Sequence, residues 1–210
     1  MKSNLPIVRC LLLGSLLLAA ISTGCNQTKD QTSSAAAPSP ATKPIAPVAD
    51  TRPTIRINAG AEVPVTDSTG VKWEADRGFD DGFTNDRTEL QITGTKTPEL
   101  YQTERYSMNH YNIKVPNGRY ILKLHFSEDY EGITDPTMRI FTYAVKDGSP
   151  AAGKVLKEVK DFSPWKSAGA QYQAYIDTVP IQVTAGELSI TFTPQVENPQ
   201  INAIEIIPQN

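Results

Sequence analysis

Several short stretches of this chain alternate strictly between apolar and polar residues, and this feature constrains the fold more than any other. The clearest cases are residues 119–126 and 187–193, and residues 111–115 follow the same pattern. Successive side chains of a β-strand point to opposite faces, so such alternation is typical of strands with one buried face. No stretch offers a long helical periodicity with capping residues at its ends. The pattern therefore predicts an all-β fold.

The aromatic residues place the folded part of the chain. All of them lie between Trp73 and Phe192, so a core built on aromatic side chains belongs to this part alone. Glycine-containing turn signals separate the alternating stretches, as at Asn117-Gly118 and Ala185-Gly186. We predict that residues 54–210 form a single jelly-roll-like β-sandwich.

The amino-terminal residues have the layout of an export signal. Lys2 and Arg9 precede an apolar run over residues 10–21, and small residues follow up to Cys25. This order of a positive start, an apolar stretch and a small-residue cleavage site is typical of secretory signals. A signal that ends on cysteine resembles those of bacterial lipoproteins. We predict a lipoprotein signal peptide over residues 1–24; an ordinary cleaved signal is the alternative.

The predicted lipid anchor determines the expected location of the protein. An acylated Cys25 would begin the mature chain, and residues 25–53 are rich in Pro, Ala, Ser and Thr without any aromatic residue. Such a segment cannot bury enough apolar surface to order itself, and it serves as a linker. We therefore expect an exported lipoprotein of the bacterial cell envelope, with lipid membrane as one partner. In a Gram-negative cell, Asn26 resembles the residue that follows the cysteine of outer-membrane lipoproteins.

Composition excludes several classes of function. The formal net charge is −3, which disfavours a nucleic-acid partner. The only cysteines are Cys10 and Cys25, so residues 54–210 hold no thiol for catalysis or for a zinc site. We predict neither a cofactor nor a metal. One loop carries four side chains with oxygen atoms that suit Ca²⁺, namely Asp80, Asp81, Asn85 and Asp86. Their spacing is not that of an EF-hand, and a solvated turn explains them equally well.

Aromatic and hydrogen-bonding side chains are concentrated in residues 100–106, a run that contains two tyrosines. Tyr130 and Glu131 follow the alternating stretch that ends at Phe126. A pyranose offers an apolar C–H face that can lie on an aromatic ring, and hydroxyl groups that a carboxylate accepts strongly. These residue types indicate a carbohydrate site. Tyr111 and Tyr120 fall on the buried side of their strands and are expected in the core.

Residues 55–207 resemble a malectin domain, a sugar-binding module also found attached to bacterial glycosidases and plant receptor kinases. Two motifs carry the resemblance most specifically: the run over residues 100–106, and Asn198-Pro199 followed by Ala203-Ile204. Further matching segments occur in the same order as in the family, namely residues 57–60, Trp73 with Asp76, Gly78-Phe79 and residues 120–128. The resemblance implies a jelly-roll-like sandwich that holds a short α-linked glucose oligosaccharide in loops at one end.

The resemblance also implies the site residues. Tyr106 and Tyr130 match tyrosines that stack on the ligand, and Glu197 stands where the family has an aspartate before Asn-Pro. Glu131 replaces the second of two adjacent aromatic residues, which removes one stacking surface and adds a carboxylate. A further aromatic residue of an early loop corresponds to Phe83 or to Phe79, and the sequence leaves this choice open.

These observations predict a non-catalytic, carbohydrate-binding lipoprotein. One alternative is a protein-interaction module of the cell envelope that uses the same loops. A second is a glycoside hydrolase built on Glu104, Glu128, Asp129 or Glu197. Glu128 and Asp129 are adjacent, and we expect their side chains on opposite faces of a strand, which is a poor arrangement for two carboxyls that must flank one bond.

Overall fold

A computed structural model describes residues 50–210. The predicted signal peptide, Cys25 and the linker up to residue 49 lie outside the described residues. The described part contains a 3₁₀ helix at Pro98–Tyr101 and a short α-helix, α1, at Pro164–Ala168. No helix within residues 50–210 is both long and apolar enough to cross a membrane. The strands are β1 Ile55–Asn58, β2 Val65–Thr66, β3 Lys72–Trp73, β4 Phe83–Asp86, β5 Thr103–Tyr106, β6 His110–Lys114, β7 Gly118–Phe126, β8 Ile140–Asp147, β9 Lys154–Phe162, β10 Tyr175–Val183, β11 Glu187–Val196, β12 Gln200–Ile201 and β13 Ala203–Gln209.

Two antiparallel four-stranded sheets form the body of the domain. One has the strand order β1-β13-β7-β10 and the other the order β6-β11-β8-β9. Apolar residues from both sheets join in one continuous buried cluster. The prediction of an all-β sandwich is confirmed.

The alternation in the sequence accounts for this core. Tyr120, Leu122, Leu124 and Phe126 of β7 are all buried, and the two residues that alternate with them, Ile121 and Lys123, are partly exposed. Tyr111 and Tyr120, which were expected in the core, are 0% and 1% exposed. Each large buried side chain contributes roughly 1.5–3 kcal/mol relative to an exposed position, so this cluster supplies most of the driving force for folding.

A smaller sheet with the order β12-β5-β4 adjoins the sandwich, because a single residue, Asn202, separates β12 from β13. The register pairs Phe83 with Tyr106 and Asn85 with Glu104. Residues that pair directly point to the same face of a sheet, and so do residues two positions apart. Phe83, Asn85, Glu104 and Tyr106 therefore share one face of the small sheet.

The side chain of Asn202 connects the small sheet to the sandwich. Its Oδ1 accepts a hydrogen bond from the backbone N–H of Ser127 at 2.7 Å, just beyond the end of β7. Its Nδ2 donates to the carbonyl oxygens of Tyr101 and Thr103, at 3.2 and 2.9 Å, and to Oδ2 of Asp129 at 3.0 Å. Asn202 is fully buried, so no solvent can replace these partners. One amide thereby fixes β5, the end of β7 and the chain that follows β7.

We expect Asn202→Ala to lower the free energy of unfolding by about 3 kcal/mol or more, because it leaves several buried polar groups without partners. Urea denaturation followed by far-ultraviolet circular dichroism measures this change. Asn210→Ala, at the exposed carboxyl-terminal position, is the matched control and should change stability by less than about 0.5 kcal/mol. Equal stabilities of the two variants would contradict the role assigned to Asn202.

Candidate functional site

A cleft of about 280 Å³ lies on the face of the small sheet that carries Glu104 and Tyr106. Its walls come from β4, β5, the loop after β7, the residue before β8, and the turn between β11 and β12. The lining residues are Asn85, Arg87, Glu104, Tyr106, Tyr130, Arg139 and Glu197. Three of the residues that the sequence singled out, Tyr106, Tyr130 and Glu197, are thus brought together from distant parts of the chain. Their role in binding stays a prediction.

Tyr106 and Phe83 form an aromatic pair beside the cleft. Their ring centroids are 5.7 Å apart, and Phe83 is 65% exposed. Phe79, the other candidate for the early-loop aromatic, instead contacts the ring of Tyr111 and the guanidinium of Arg105. Arg105 belongs to the opposite face of β5, because it lies between Glu104 and Tyr106 in the strand. Of the two phenylalanines, only Phe83 packs against Tyr106.

The ring of Tyr130 is held in an exposed position by its neighbours. A Cβ atom built on Gly132 would come within 2.6 Å of ring atoms of Tyr130, so the ring packs on the bare backbone of that glycine. The Arg87 guanidinium carbon lies 6.0 Å from the ring centroid, within the range of a cation–π contact. The Tyr130 side chain nevertheless stays 44% exposed. An exposed ring with a fixed position is suited to stacking against a ligand.

Glu131 lies away from the main cleft. It lines a neighbouring depression of about 260 Å³ together with Asp129, Leu90 and Tyr172. Tyr130 and Arg87 line both cavities. Glu131 is therefore placed to contact only a ligand that extends past Tyr130.

Glu197 stands at the rim of the cleft in an unusual backbone conformation. Its φ angle is 57°, in the left-handed region that few residues other than glycine adopt. Its Oε1 accepts a hydrogen bond from Nδ2 of Asn198 at 3.0 Å, and the carbonyl of Asn198 accepts one from Nη1 of Arg139 at 2.5 Å. The side chain of Glu197 is exposed. These contacts hold a carboxylate at the edge of the cleft while one of its oxygens remains available.

Two ion pairs with buried carboxylates lie at the base of the cleft. Glu104, 2% exposed, accepts hydrogen bonds through Oε1 from Nη1 of Arg87 at 2.7 Å and from Nδ2 of Asn85 at 3.1 Å. Glu128, fully buried, accepts one through Oε2 from Nε of Arg139 at 2.7 Å. Sequence reasoning missed Arg87 and Arg139, and it considered Asn85 only as a ligand for Ca²⁺. The pairing of Asn85 with Glu104 follows from strand register, but no local pattern marks the two arginines.

Asp129 adds a third carboxyl beside this floor. It is 2% exposed, and burial, with further effects from Glu104 and Glu128, raises the pKa of Asp129 to about 7. The hydrogen bond from Asn202 acts in the opposite direction without cancelling the effect of burial. Burial likewise raises the pKa of Glu128 in spite of the neighbouring Arg139. The carboxyl groups at this end of the domain therefore interact with one another.

The expectation that Glu128 and Asp129 occupy opposite faces of a strand is wrong. Strand β7 ends at Phe126, so the alternation of a strand does not extend to these residues. Both side chains are buried, and the charge of Glu104 raises the pKa of each. The chain leaves the sheet here because Asn202 binds the backbone of Ser127 and the carboxyl of Asp129.

Three of the four oxygen-bearing residues considered for Ca²⁺ are engaged elsewhere or point apart. Asp80 accepts hydrogen bonds from the backbone N–H groups of Asn109 and His110. Asn85 bonds to Glu104, and Asp86 follows it in β4 and therefore points to the other face. Within residues 50–210, no group of three or more acidic, histidine or cysteine side chains is arranged to hold a metal ion.

The raised pKa of Asp129 gives a pH-dependent prediction about stability. The unfolded carboxyl titrates near pH 4 and the folded one near pH 7, so its contribution to stability is present below pH 4 and is lost as the pH rises to 7. Asp129→Asn removes this loss. The variant should gain stability relative to the native protein between pH 4 and pH 7, by up to about 4 kcal/mol.

Urea denaturation of both proteins at several pH values measures this difference. Asp81→Asn, at an exposed position, is the control and should differ from the native protein by the same amount at every pH. A pH-independent difference for Asp129→Asn would show that Asp129 titrates normally.

Fold and site together define an all-β sandwich module with an open cleft of tyrosines and carboxylates at the small sheet. The Malectin domain family profile matches residues 54–204. The chain therefore belongs to the malectin domain family.

Solved structures show the same fold. The ANX2 ectodomain from Arabidopsis thaliana is 26% identical, with a TM-score of 0.62, over 75% of this chain and 42% of that chain. The ANXUR1 extracellular domain from the same plant is 23% identical, with a TM-score of 0.60, over 75% of this chain and 42% of that chain. A Bacteroides uniformis β-glucuronidase is 19% identical, with a TM-score of 0.63, over 75% of this chain and 18% of that chain. The chain thus spans less than half the length of these proteins. No curated protein matches its sequence.

Proposed function

We propose that this protein is a non-catalytic carbohydrate-binding module that holds an oligosaccharide in the cleft between Tyr106, Tyr130 and Glu197. The observation that carries the proposal is the convergence of these three residues, from β5, the loop after β7 and the turn after β11, on one open cleft. Membership in the malectin domain family supports carbohydrate as the ligand class. An α-linked glucose oligosaccharide is the first ligand to test.

Each of the three residues has a task in this proposal. Tyr130 offers an exposed ring to the C–H face of a pyranose, and Tyr106, packed against Phe83, offers a second aromatic wall. Glu197 presents a carboxylate oxygen to ligand hydroxyl groups, and hydrogen bonds to a charged acceptor are the stronger kind. Because the cleft has a volume of only about 280 Å³, it buries few ligand atoms. We therefore expect weak binding to a single disaccharide.

Tyr130→Ala and Tyr106→Ala should each weaken oligosaccharide binding by roughly 0.5–1.5 kcal/mol, the scale of a lost aromatic contact. Tyr130→Phe is the matched control and should retain stacking and most of the affinity. Calorimetric titration with maltose and longer α-glucans, alongside a melting curve for each variant, measures affinity and stability separately. Full affinity in Tyr130→Ala, or unfolding of Tyr106→Ala, would argue against the assigned roles.

The absence of catalysis is part of the proposal. Glu104 and Glu128, two of the carboxylates that a hydrolase would need, are each bound to a guanidinium. A catalytic carboxyl must lie within hydrogen-bond reach of the substrate, whereas Glu128 is fully buried and does not line the cleft. Turnover of chromogenic glycosides by the native protein would overturn this part of the proposal.

A protein-interaction module is the second candidate, and one observation favours it. Phe83 is 65% exposed and Val63 is 66% exposed, so apolar surface is available on loops and strands outside the sandwich core. Such residues are common at protein interfaces. Loss of partner binding in Phe83→Ala with unchanged sugar binding would support this candidate.

We further propose that the protein is exported and anchored in the cell-envelope membrane through acylated Cys25, with the outer membrane as the expected site in a Gram-negative cell. The signal-like residues before Cys25 support this. More than one acyl chain gives stable membrane attachment, whereas a single chain gives marginal binding.

Cys25→Ala should release the protein from the membrane fraction or block its maturation, because the acylated side chain is lost. Fractionation of cells at high salt, with immunoblotting of pellet and supernatant, measures the distribution. Cys10→Ala, inside the predicted signal peptide, is the matched control and should leave attachment unchanged. A correctly processed Cys25→Ala protein that stays with the membrane would contradict lipid anchoring.

A further inference from the structure

A second cavity adjoins the cleft at Tyr130. The neighbouring depression of about 260 Å³ shares Tyr130 and Arg87 with the cleft of about 280 Å³, so these two side chains form the common border of the cavities. Small-molecule sites usually have volumes of roughly 300–1,000 Å³. Each cavity alone falls below that range, whereas the two together fall within it. A ligand that fills a site of the usual size therefore extends past the ring of Tyr130.

The depression offers the same kinds of chemical group as the cleft. Tyr172 and Leu90 line it with partly exposed side chains, and Glu131 adds an exposed carboxylate. An aromatic ring and an aliphatic side chain can lie against the C–H face of a pyranose, and a carboxylate accepts hydrogen bonds from its hydroxyl groups. Asp129 also lines the depression but is only 2% exposed. Of these two carboxyls, Glu131 is therefore the one that a ligand can reach.

The surrounding structure fixes Tyr172 in place. Its φ angle is 57°, in the left-handed region that bulky residues rarely adopt. Its backbone N–H donates a hydrogen bond to the carbonyl oxygen of Glu128 at 3.1 Å, and its own carbonyl oxygen accepts one from the backbone N–H of Thr93 at 2.9 Å. The side chain packs against a small buried cluster that includes Leu100 and Tyr101. Residues held by their surroundings in such a conformation are concentrated at binding sites.

Hydrogen bonds also fix the position of Tyr172 relative to Tyr130. Nε2 of Gln171 donates to the carbonyl oxygen of Tyr130 at 2.9 Å. The loop after β7 is thus bonded twice to residues 171–172, through the carbonyls of Glu128 and Tyr130. Once one pyranose binds at Tyr130, a unit linked to it can reach Tyr172 without a second loss of translational freedom. The two tyrosines therefore suit successive parts of one chain.

We propose that the ligand is a glycan chain longer than a disaccharide, which crosses Tyr130 so that one part lies in the cleft and another part contacts Tyr172 and Glu131 in the depression. The inference deepens the proposed carbohydrate-binding function and rests on it. A short sugar occupies one cavity and leaves the contacts of the other unused. The affinity should therefore depend on the length of the chain.

The test measures affinity against chain length. The full-length chain in nonionic detergent is titrated by calorimetry with glucose oligosaccharides of increasing length, from maltose to maltohexaose and from cellobiose to cellohexaose. In the series that binds, we expect the tetrasaccharide to bind about tenfold more tightly than the disaccharide, which is the scale of one added aromatic contact together with a hydrogen bond to a carboxylate. Chains longer than the tetrasaccharide should gain little more.

Two variants separate the depression from the cleft. Tyr172→Ala should reduce the affinity for the tetrasaccharide to that for the disaccharide. Glu131→Gln should reduce the ratio between the two affinities severalfold, and because this side chain is exposed, the variant keeps the proposal testable if Tyr172→Ala does not fold. Glu158→Gln, which replaces an exposed carboxylate of β9, is the matched control and should keep the native ratio.

The outcomes distinguish the extended site from the proposed function itself. Equal affinity for disaccharide and tetrasaccharide overturns the extended site alone. A gain with chain length that persists in the folded variants at Tyr172 and Glu131 does the same, because the added units then bind elsewhere. Failure of every chain in both series to bind overturns the proposed function as well.

Discussion

The arrangement of the cleft depends on the buried amide of Asn202. This residue separates β12 from β13, so the sandwich and the small sheet meet at its backbone. Its side chain binds the backbone of Ser127, the carbonyls of Tyr101 and Thr103, and the carboxyl of Asp129. Because a buried amide must use its donors and acceptor inside the protein, these segments can be placed together in few other ways.

The two ion pairs at the cleft do not account for the stability of the domain. Replacing a buried ion pair by apolar residues of similar volume is often neutral or stabilising, so Glu104–Arg87 and Glu128–Arg139 are weak evidence for a stabilising role. Their charged groups do, however, make the lining of the cleft polar. The raised pKa values of Asp129 and Glu128 show the energetic penalty of collecting carboxyls where water is scarce.

The sequence predicted the fold more completely than it predicted the residues of the site. The alternation at residues 119–126 and 187–193 is a local consequence of burying one face of a strand, and it identified β7 and β11. Strand β10 was not identified, although Val179, Ile181 and Val183 alternate there, because Pro180 interrupts the usual strand signal.

Within the site, Tyr106, Tyr130 and Glu197 were singled out through family resemblance, and the structure brings them to one cleft. The sequence did not indicate Arg87 or Arg139 as cleft residues, because each pairs with a carboxylate that is distant in the sequence. Glu128 and Asp129 were placed on opposite faces because the end of β7 is set by a tertiary contact with Asn202 rather than by a local signal.

The strand β5 shows why the register at Asn202 matters for the chemistry of the cleft. Its residues alternate, so Glu104 and Tyr106 face the cleft while Arg105 faces away and pairs with Asp76 at 2.5 Å. A slip of one residue would place Arg105 in the floor and remove both Glu104 and Tyr106 from it. Asn202 opposes that slip, because its Nδ2 binds the carbonyl of Thr103 at the start of the strand. The carboxylate in the cleft floor and the aromatic wall are thus both consequences of one hydrogen-bonded register.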